Sequence, residues 1–309
     1  MAHHLALVGP TASGKSALAL ELARRRPGVE LVSVDSMQVY RGMDIGTAKP
    51  SAAERREVPH HLLDLAEPSE RFTVARFAAA AADVLAGVED RGHTAVLVGG
   101  TGLYLQAVLG DLTPPGEFPV VRAQLEAEAR RDGIGPLYQR LVELDPVAAG
   151  RVEGGNTRRV VRALEVTLGA GVPFSSFGPG LSAYRPSGRF VLVGVWLPRT
   201  VIAARIEQRV AAMVDAGLVT EVRRLAESGM GLTARQALGY KEVLAHLEDG
   251  APLDASLQQV VGRTRKFARR QRSWFGRDPR IRWHGTEADP ERLLPGLLVE
   301  FDRVAQPQP

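Results

Sequence analysis

Eight residues, Gly9-Pro10-Thr11-Ala12-Ser13-Gly14-Lys15-Ser16, limit what this chain can fold into more than any other stretch. They follow the apolar run Leu5 to Val8 and precede Ala17-Leu18-Ala19-Leu20, so the spacing G-x-x-x-x-G-K-[ST] falls between a predicted strand and a predicted helix. Glycines let the backbone turn tightly enough for several N–H groups to converge, and the following helix offers its positive end to an anion. Lys15 then belongs against a terminal phosphate and the Ser16 hydroxyl on a magnesium ion. Taken alone, the stretch reads as an ATP-binding loop; the plain alternative is a glycine-rich turn between strand and helix.

At 309 residues the chain has room for about two domains. Hydrophobic residues make up 45% and charged residues 24%, which excludes disordered and fibrous classes, apart from the polar tail Ala305 to Pro309. There is no cysteine, so neither a disulfide framework nor a thiolate metal site is available. Met1-Ala2-His3-His4 has no basic stretch of the signal-peptide kind, and no apolar run nears the ~20 residues of a membrane span. A cytoplasmic, monomeric protein is expected. The net charge of +4 is unevenly spread: residues 262 to 282 hold nine basic side chains and one acid, Asp278, leaving the rest of the chain net acidic. Such a block points to a polyanionic partner. Arginine outnumbers lysine throughout, so the clustering is the signal, not the residue type.

Ser16 to Arg26 reads as a helix closed by Pro27-Gly28, and Glu30 to Val34 as a second strand. Asp35-Ser36-Met37-Gln38 leaves that strand at its carboxyl end, which in a parallel α/β sheet faces the same crevice as the phosphate loop. Asp35 is therefore a candidate to share a pocket with Lys15. Residues 41 to 50 are loop-like, and the paired His60 and His61 read as structural or substrate-contacting residues because no metal set surrounds them. Phe72 to Val88 predicts a helix, and Ala95 to Val98 a strand that ends in Gly99-Gly100-Thr101, without the aspartate that ATP-hydrolysing loops place there to hold magnesium. From Thr113-Pro114-Pro115-Gly116 to about residue 187 the pattern is helical (Val120 to Arg131, Pro136 to Leu144, Asn156 to Leu168). The buried-strand run Phe190 to Trp196 then resumes the α/β pattern. The expected fold is α/β, a parallel sheet flanked by helices (1–112 and 188–309) interrupted by a helical insertion at 113–187. Arg199 to Ala216 predicts a helix with Arg205 and Arg209 one turn apart, and Leu257 to Phe275 a long basic helix.

GPTASGKS (9–16), VSVDSMQVYRGMDIGTAKP (32–50), PHHLLD (59–64), VGGTGLY (98–104), RRVVRALEV (158–166), RIEQRV (205–210), QALGYKE (236–242) and TRKFARRQRSWF (264–275) together resemble the tRNA dimethylallyltransferase family, in order and over nearly the whole chain. The resemblance implies transfer of a dimethylallyl group from dimethylallyl diphosphate to the exocyclic amine of the adenosine 3′ to the anticodon. On that view Gly9 to Ser16 cradle the diphosphate, so the missing magnesium aspartate is no defect. Diphosphate is the leaving group, with Thr11 at the leaving oxygens, magnesium on Ser16, and Arg205 as the charge-stabilising arginine ahead of Arg209. Asp35 resembles the family's general base; the alternatives are a carboxylate that caps a turn or binds magnesium.

The same resemblance assigns tRNA contacts to Asp35, Ser36, Met37, Gln38, Thr101, Arg122, Arg158, Arg159, Arg162, Gln236, Gly239, Tyr240, Lys241, Arg269, Arg270 and Trp274. Gly276 departs from relatives that carry a basic residue there. The insertion is expected to contact the anticodon stem-loop, and the adenine to leave its stack for an interior pocket. Three other readings compete: a P-loop kinase of nucleotides or small molecules, a non-catalytic RNA-binding protein switched by a nucleotide, and a prenyltransferase of free adenine nucleotides.

Overall fold

In the computed structural model, which describes residues 4–110, 112, 114–178, 184–185 and 188–305, the chain forms two compact units, Met1–Leu109 with Tyr184–Pro309, and Gly110–Ala183. The larger is built on strands β1 (His4–Val8), β2 (Val29–Val34), β3 (His60–His61), β4 (Thr94–Gly99), β5 (Phe190–Trp196) and β6 (Arg282–Gly285). They run parallel in the order β3-β2-β4-β1-β5-β6. Its helices are α1 (Lys15–Arg25), α2 (Ala52–Glu57), α3 (Val74–Asp90) and α4 (Gly102–Val108). The smaller unit follows with α5 (Pro119–Asp132), α6 (Gly135–Leu144), α7 (Pro146–Ala149) and α8 (Thr157–Ala170). After β5 the core resumes with α9 (Arg199–Asp215), α10 (Leu218–Glu227), α11 (Leu232–Arg235), α12 (Tyr240–Asp249), α13 (Leu253–Phe275) and, beyond β6, α14 (Leu294–Ala305). None of the described helices is long and apolar enough to cross a membrane.

The strands are apolar on both faces because both faces are covered. Along β1, Ala6 and Val8 enter one core with Val32, Val34, Leu97, Phe77 and Phe275, while Leu5 and Leu7 enter a second with Leu18, Leu22, Leu297 and Phe301. This two-residue alternation sends α3, α10, α12 and α13 to one face of the sheet and α1 with α14 to the other. The smaller unit buries Leu125, Leu137, Leu141, Val160 and Leu164 in a core of its own.

Predicted elements return with shifts of a few residues at their ends, where fraying and capping decide the boundary. The helical unit begins and ends slightly before the expected 113–187; Tyr184 belongs with the sheet core, its ring 5.2 Å from the Arg280 guanidinium. Of the sequence features noted above, Met1 to His3, Thr113 and the tail from Gln306 lie outside the described residues. Strand β6 and helix α14 were not anticipated. β6 reads Arg-Trp-His-Gly, a short and mostly exposed edge strand held by pairing with β5 across a gap of many residues. His60 and His61 form the opposite edge, where His61 Nε2 meets Glu30 Oε2 at 2.5 Å and His60 Nδ1 meets the Val58 carbonyl at 2.7 Å. Glu30 also takes a two-pronged contact from Arg91 and one from His93; Arg91 first, with the histidines, holds its pKa at about 2. No group of three or more His, Cys, Asp or Glu among the described residues could hold a metal ion.

One buried carboxylate fixes the loop after β2. Glu221 of α10 accepts N–H bonds from Asp44 (2.9 Å), Ile45 (2.8 Å) and Gly46 (3.1 Å), and the Tyr240 hydroxyl at 2.6 Å. The Tyr240 ring lies so close to Gly46 that a Cβ there would sit 2.4 Å from it. Glu221→Ala strips the acceptor from four donors and is expected to lower unfolding stability by about 3 kcal/mol or more, and Tyr240→Phe by about 1–3 kcal/mol. Urea titration of the two variants against the parent protein measures both, and midpoints unchanged in both would refute the account.

Candidate active site

The phosphate loop turns sharply between β1 and α1. Gly9 has φ 154° and would drive a Cβ to 2.9 Å from the Val195 carbonyl; Gly14 has φ 87° and would drive one to 2.6 Å from Pro290. Both positions demand glycine. Ala12 takes a left-handed φ of 64° without being glycine, a strain that persists only when surroundings hold it. Arg205 supplies that hold by donating Nε–H to the Ala12 carbonyl at 2.9 Å. Gly14 caps α1 with no side chain covering the first helical amides, which leaves them open to an anion.

Four ionisable groups converge on this loop. Lys15 Nζ lies 3.3 Å from the Pro10 carbonyl. Burial lowers its pKa to about 8, opposed by nearby Asp35 and reinforced by Arg209. Arg209, one turn beyond Arg205 on α9, donates Nη2–H to Thr11 Oγ1 at 2.8 Å. Burial pulls its pKa down too, with Asp35 resisting and Arg205 assisting. Three cations therefore crowd one carboxylate. Arg209 Nε and Ser13 Oγ are buried without a hydrogen-bond partner, so the loop has donors and positive charge to spare. Both arginines singled out in the sequence reach it, but Arg209 is the one on the Thr11 hydroxyl, whereas Arg205 braces the backbone.

Asp35 follows the last residue of β2. Its Oδ1 accepts from Met37 N–H at 2.8 Å and Gln38 N–H at 3.4 Å, so the turn-capping role weighed above is present. Oδ2 takes no hydrogen bond from the described residues. Thr101 backs the same turn, its Oγ1 accepting Ser36 N–H at 3.2 Å while its own N–H donates to the Val34 carbonyl at 3.3 Å. Gln38 is committed internally, accepting from Ser33 and donating to the Thr47 and Ala48 carbonyls. A cavity of about 730 Å³ runs up to Arg209, lined among others by Ile45, Ala48, Lys49 and Met213. The Lys49 side chain is only 1% exposed and bonds Asp44, Asp64 and the Tyr40 carbonyl, so it shapes the cavity wall and offers no free charge.

The remaining candidates divide by exposure. Arg269 and Arg270 stand exposed on α13, Lys241 and Gln236 are exposed and bonded to each other at 2.8 Å, and Arg158 and Arg159 are exposed at the start of α8. Within the helical unit, Arg122 and Arg162 are pinned to the buried Glu165, at 3.4 Å and 2.8 Å. Gly239 and Tyr240, to which the resemblance assigns RNA contacts, are both buried, and the Tyr240 hydroxyl is spent on Glu221. Burial and the adjacent Glu221 raise its pKa, keeping it a neutral donor. Trp274 is half-buried with its indole against Gly102, where a Cβ would lie 2.0 Å from Nε1. Sequence reasoning singled out neither Glu165 nor Glu221, and took Gln271 only as part of the 264–275 motif. The signal for Glu221 and Gln271 is a polar residue on an otherwise apolar helical stripe, beside Leu218, Val222 and Leu225 in one case and Ala268 and Phe275 in the other.

A family model described as IPP transferase matches residues 38–278. A tRNA dimethylallyltransferase of Parafrankia sp. (strain EAN1pec) is 52% identical over 283 residues, covering 90% of this chain and 86% of its own. One of Geobacter metallireducens is 46% identical over 278 residues, covering 89% and 90%. Among solved structures, the full-length tRNA isopentenylpyrophosphate transferase of Bacillus halodurans superimposes with a TM-score of 0.71 at 36% identity, over 99% of this chain and 97% of that one. A eukaryotic dimethylallyltransferase crystallised acting on tRNA shares the fold, with a TM-score of 0.76 at 24% identity over 95% and 76%. A sequence match across most of the sheet core and the helical unit, joined to likeness at full length in three dimensions, makes this chain a member of the IPP transferase family.

Proposed function

We propose that the protein transfers a dimethylallyl group from dimethylallyl diphosphate to the N6 amine of the adenosine 3′ to the anticodon in tRNA, releasing diphosphate. The observation that carries this reading is the excess of half-buried positive charge at the phosphate loop, facing a carboxylate with one uncommitted oxygen. A diphosphate satisfies the loop amides, Lys15 and Arg209 together. As the C1–O bond breaks, negative charge grows on the departing diphosphate, where Lys15, Arg209 and the Thr11 hydroxyl stabilise it. The N6 lone pair forms the new C–N bond, and the proton lost from the amine passes to Asp35 Oδ2. Magnesium would be held by the Ser16 hydroxyl, on the first turn of α1, together with the diphosphate it accompanies. It would supply charge neutralisation on the leaving group.

The exposed side chains of Arg269 and Arg270 on α13 offer phosphate contacts to the tRNA that do not read sequence, and within the helical unit Arg158 and Arg159 offer contacts of the same kind. The site is better suited to a departing diphosphate than to phosphoryl transfer, because β4 ends in Gly99-Gly100-Thr101 and supplies no carboxylate for a phosphoryl-transfer metal. A tRNA substrate implies work in the cytoplasm.

Labelled dimethylallyl diphosphate incubated with unmodified tRNA and no ATP is expected to label the tRNA; ATP-dependent phosphorylation without prenyl transfer would sink the proposal. Asp35→Asn keeps an oxygen to cap the Met37 turn but cannot take the amine proton. It should lower kcat about 10²- to 10⁴-fold and leave tRNA binding largely intact, as read by single-turnover kinetics and filter binding.

The lowered Lys15 pKa gives a second test. Free protein loses that positive charge as pH rises through about 8, and the bound diphosphate restores it. Calorimetry in buffers of different ionisation enthalpy should show proton uptake on binding dimethylallyl diphosphate at about pH 9 and little at about pH 7, with affinity weakening as pH rises. Equal proton uptake at both pH values would exclude Lys15 as the responding group.

A further inference from the structure

One buried side chain joins the two halves of this site and has no part in the chemistry above. Gln271 of α13 is 6% exposed. Its Oε1 accepts the Thr11 N–H at 2.8 Å and its Nε2 donates to the Gly100 carbonyl at 2.9 Å. The two partners determine the orientation of the amide, since an N–H requires the oxygen and a carbonyl requires the nitrogen. The fit around it is tight: a Cβ on Gly100 would stand 2.1 Å from Nε2. One turn further along the same face, Trp274 packs on Gly102. Between these glycines, Thr101 holds Ser36 and so the turn that carries Asp35.

The geometry points to Gln271 as a positioning residue for prenyl transfer. It holds the Thr11 amide, and with it the hydroxyl that Arg209 engages, in fixed relation to the turn that presents Asp35. The amide of Gln271 touches no reacting atom. It acts by keeping the group that meets the leaving oxygen in register with the group that takes the amine proton, along a link from phosphate loop to Gly100 to Thr101 to Ser36. Gly100 is glycine because the amide fills the place of its side chain. This inference rests on the function proposed above.

Wild-type transfer of the prenyl group to tRNA is measured first; if the wild type does not catalyse it, the proposed function fails before any variant is considered. Given wild-type activity, Gln271→Met, of equal length but without hydrogen bonds, is expected to lower kcat at saturating substrates about 10- to 100-fold, with tRNA affinity within about twofold of wild type. Gly100→Ala, which expels the amide without altering it, should reproduce the same split. Gln271→Glu accepts from Thr11 in either form but donates to Gly100 only when protonated. Its kcat relative to wild type should therefore rise as pH is lowered from about 8 to 6. Wild-type kcat in Gln271→Met, a loss confined to tRNA affinity, or a Gln271→Glu ratio flat with pH would each overturn the inference. If Gln271→Met does not fold, the pH-dependent ratio of Gln271→Glu decides alone.

Discussion

Uncompensated positive charge gathered on one short loop is the constraint on which the rest of the structure depends. Lys15, Arg205 and Arg209 surround the stretch Pro10 to Lys15, and Asp35 is the acid that acts on Lys15 and Arg209. Placing cations together away from water is unfavourable, and it lowers the pKa of both Lys15 and Arg209. On the function proposed above, the arriving diphosphate relieves that arrangement. The strained φ of Ala12 belongs to the same account, since Arg205 braces the one non-glycine residue of the loop that adopts a left-handed conformation.

A parallel sheet suits this purpose. β1 lies between β4 and β5, so the loop after it emerges where chain segments pass to opposite faces, and the ends of β2, β4 and β5 open around it. Asp35 comes from the end of β2, Thr101 follows the end of β4, and Val195 near the end of β5 closes on Gly9. Burial of the strands on both faces keeps these ends stationary, because displacing one strand disturbs two cores at once. The chemistry can therefore be set by short loops while the sheet holds their origins.

Buried polar side chains then aim the loops. Glu221 gathers three backbone amides and the Tyr240 hydroxyl beneath the 44–46 turn. Within the helical unit Glu165 aligns Arg122 and Arg162. Gln271 spans the phosphate loop and the Gly99-Gly100-Thr101 turn. Each is satisfied on more than one side, which is the condition under which a polar group inside a protein orders its surroundings instead of disrupting them. Glycines mark the close approaches: Gly46 under Tyr240, Gly100 under Gln271 and Gly102 under Trp274.

Local signals were legible wherever a residue's role depends on its immediate neighbours. The strand-loop-helix context of Gly9 to Ser16, the buried runs of β1, β2, β4 and β5, and the basic face of α13 follow from periodicity and spacing, which operate over a few residues. The position of Asp35 at the mouth of a parallel strand was legible for the same reason. Strand order, β6, α14 and the division of work between Arg205 and Arg209 were not, because each depends on partners far away in the chain. Tyr240 shows the limit most directly. The resemblance assigned it a tRNA contact, and only the arrival of Glu221 and Gly46 from other segments decided that its hydroxyl would be buried and spent. Sequence alone determined that this chain carries a glycine-rich strand-loop-helix turn on an α/β scaffold with a basic helix. Tertiary structure decided which charges meet at that loop and which amide holds it in place, since those contacts exist only once segments as distant as Thr11 and Gln271 have been brought within hydrogen-bond reach.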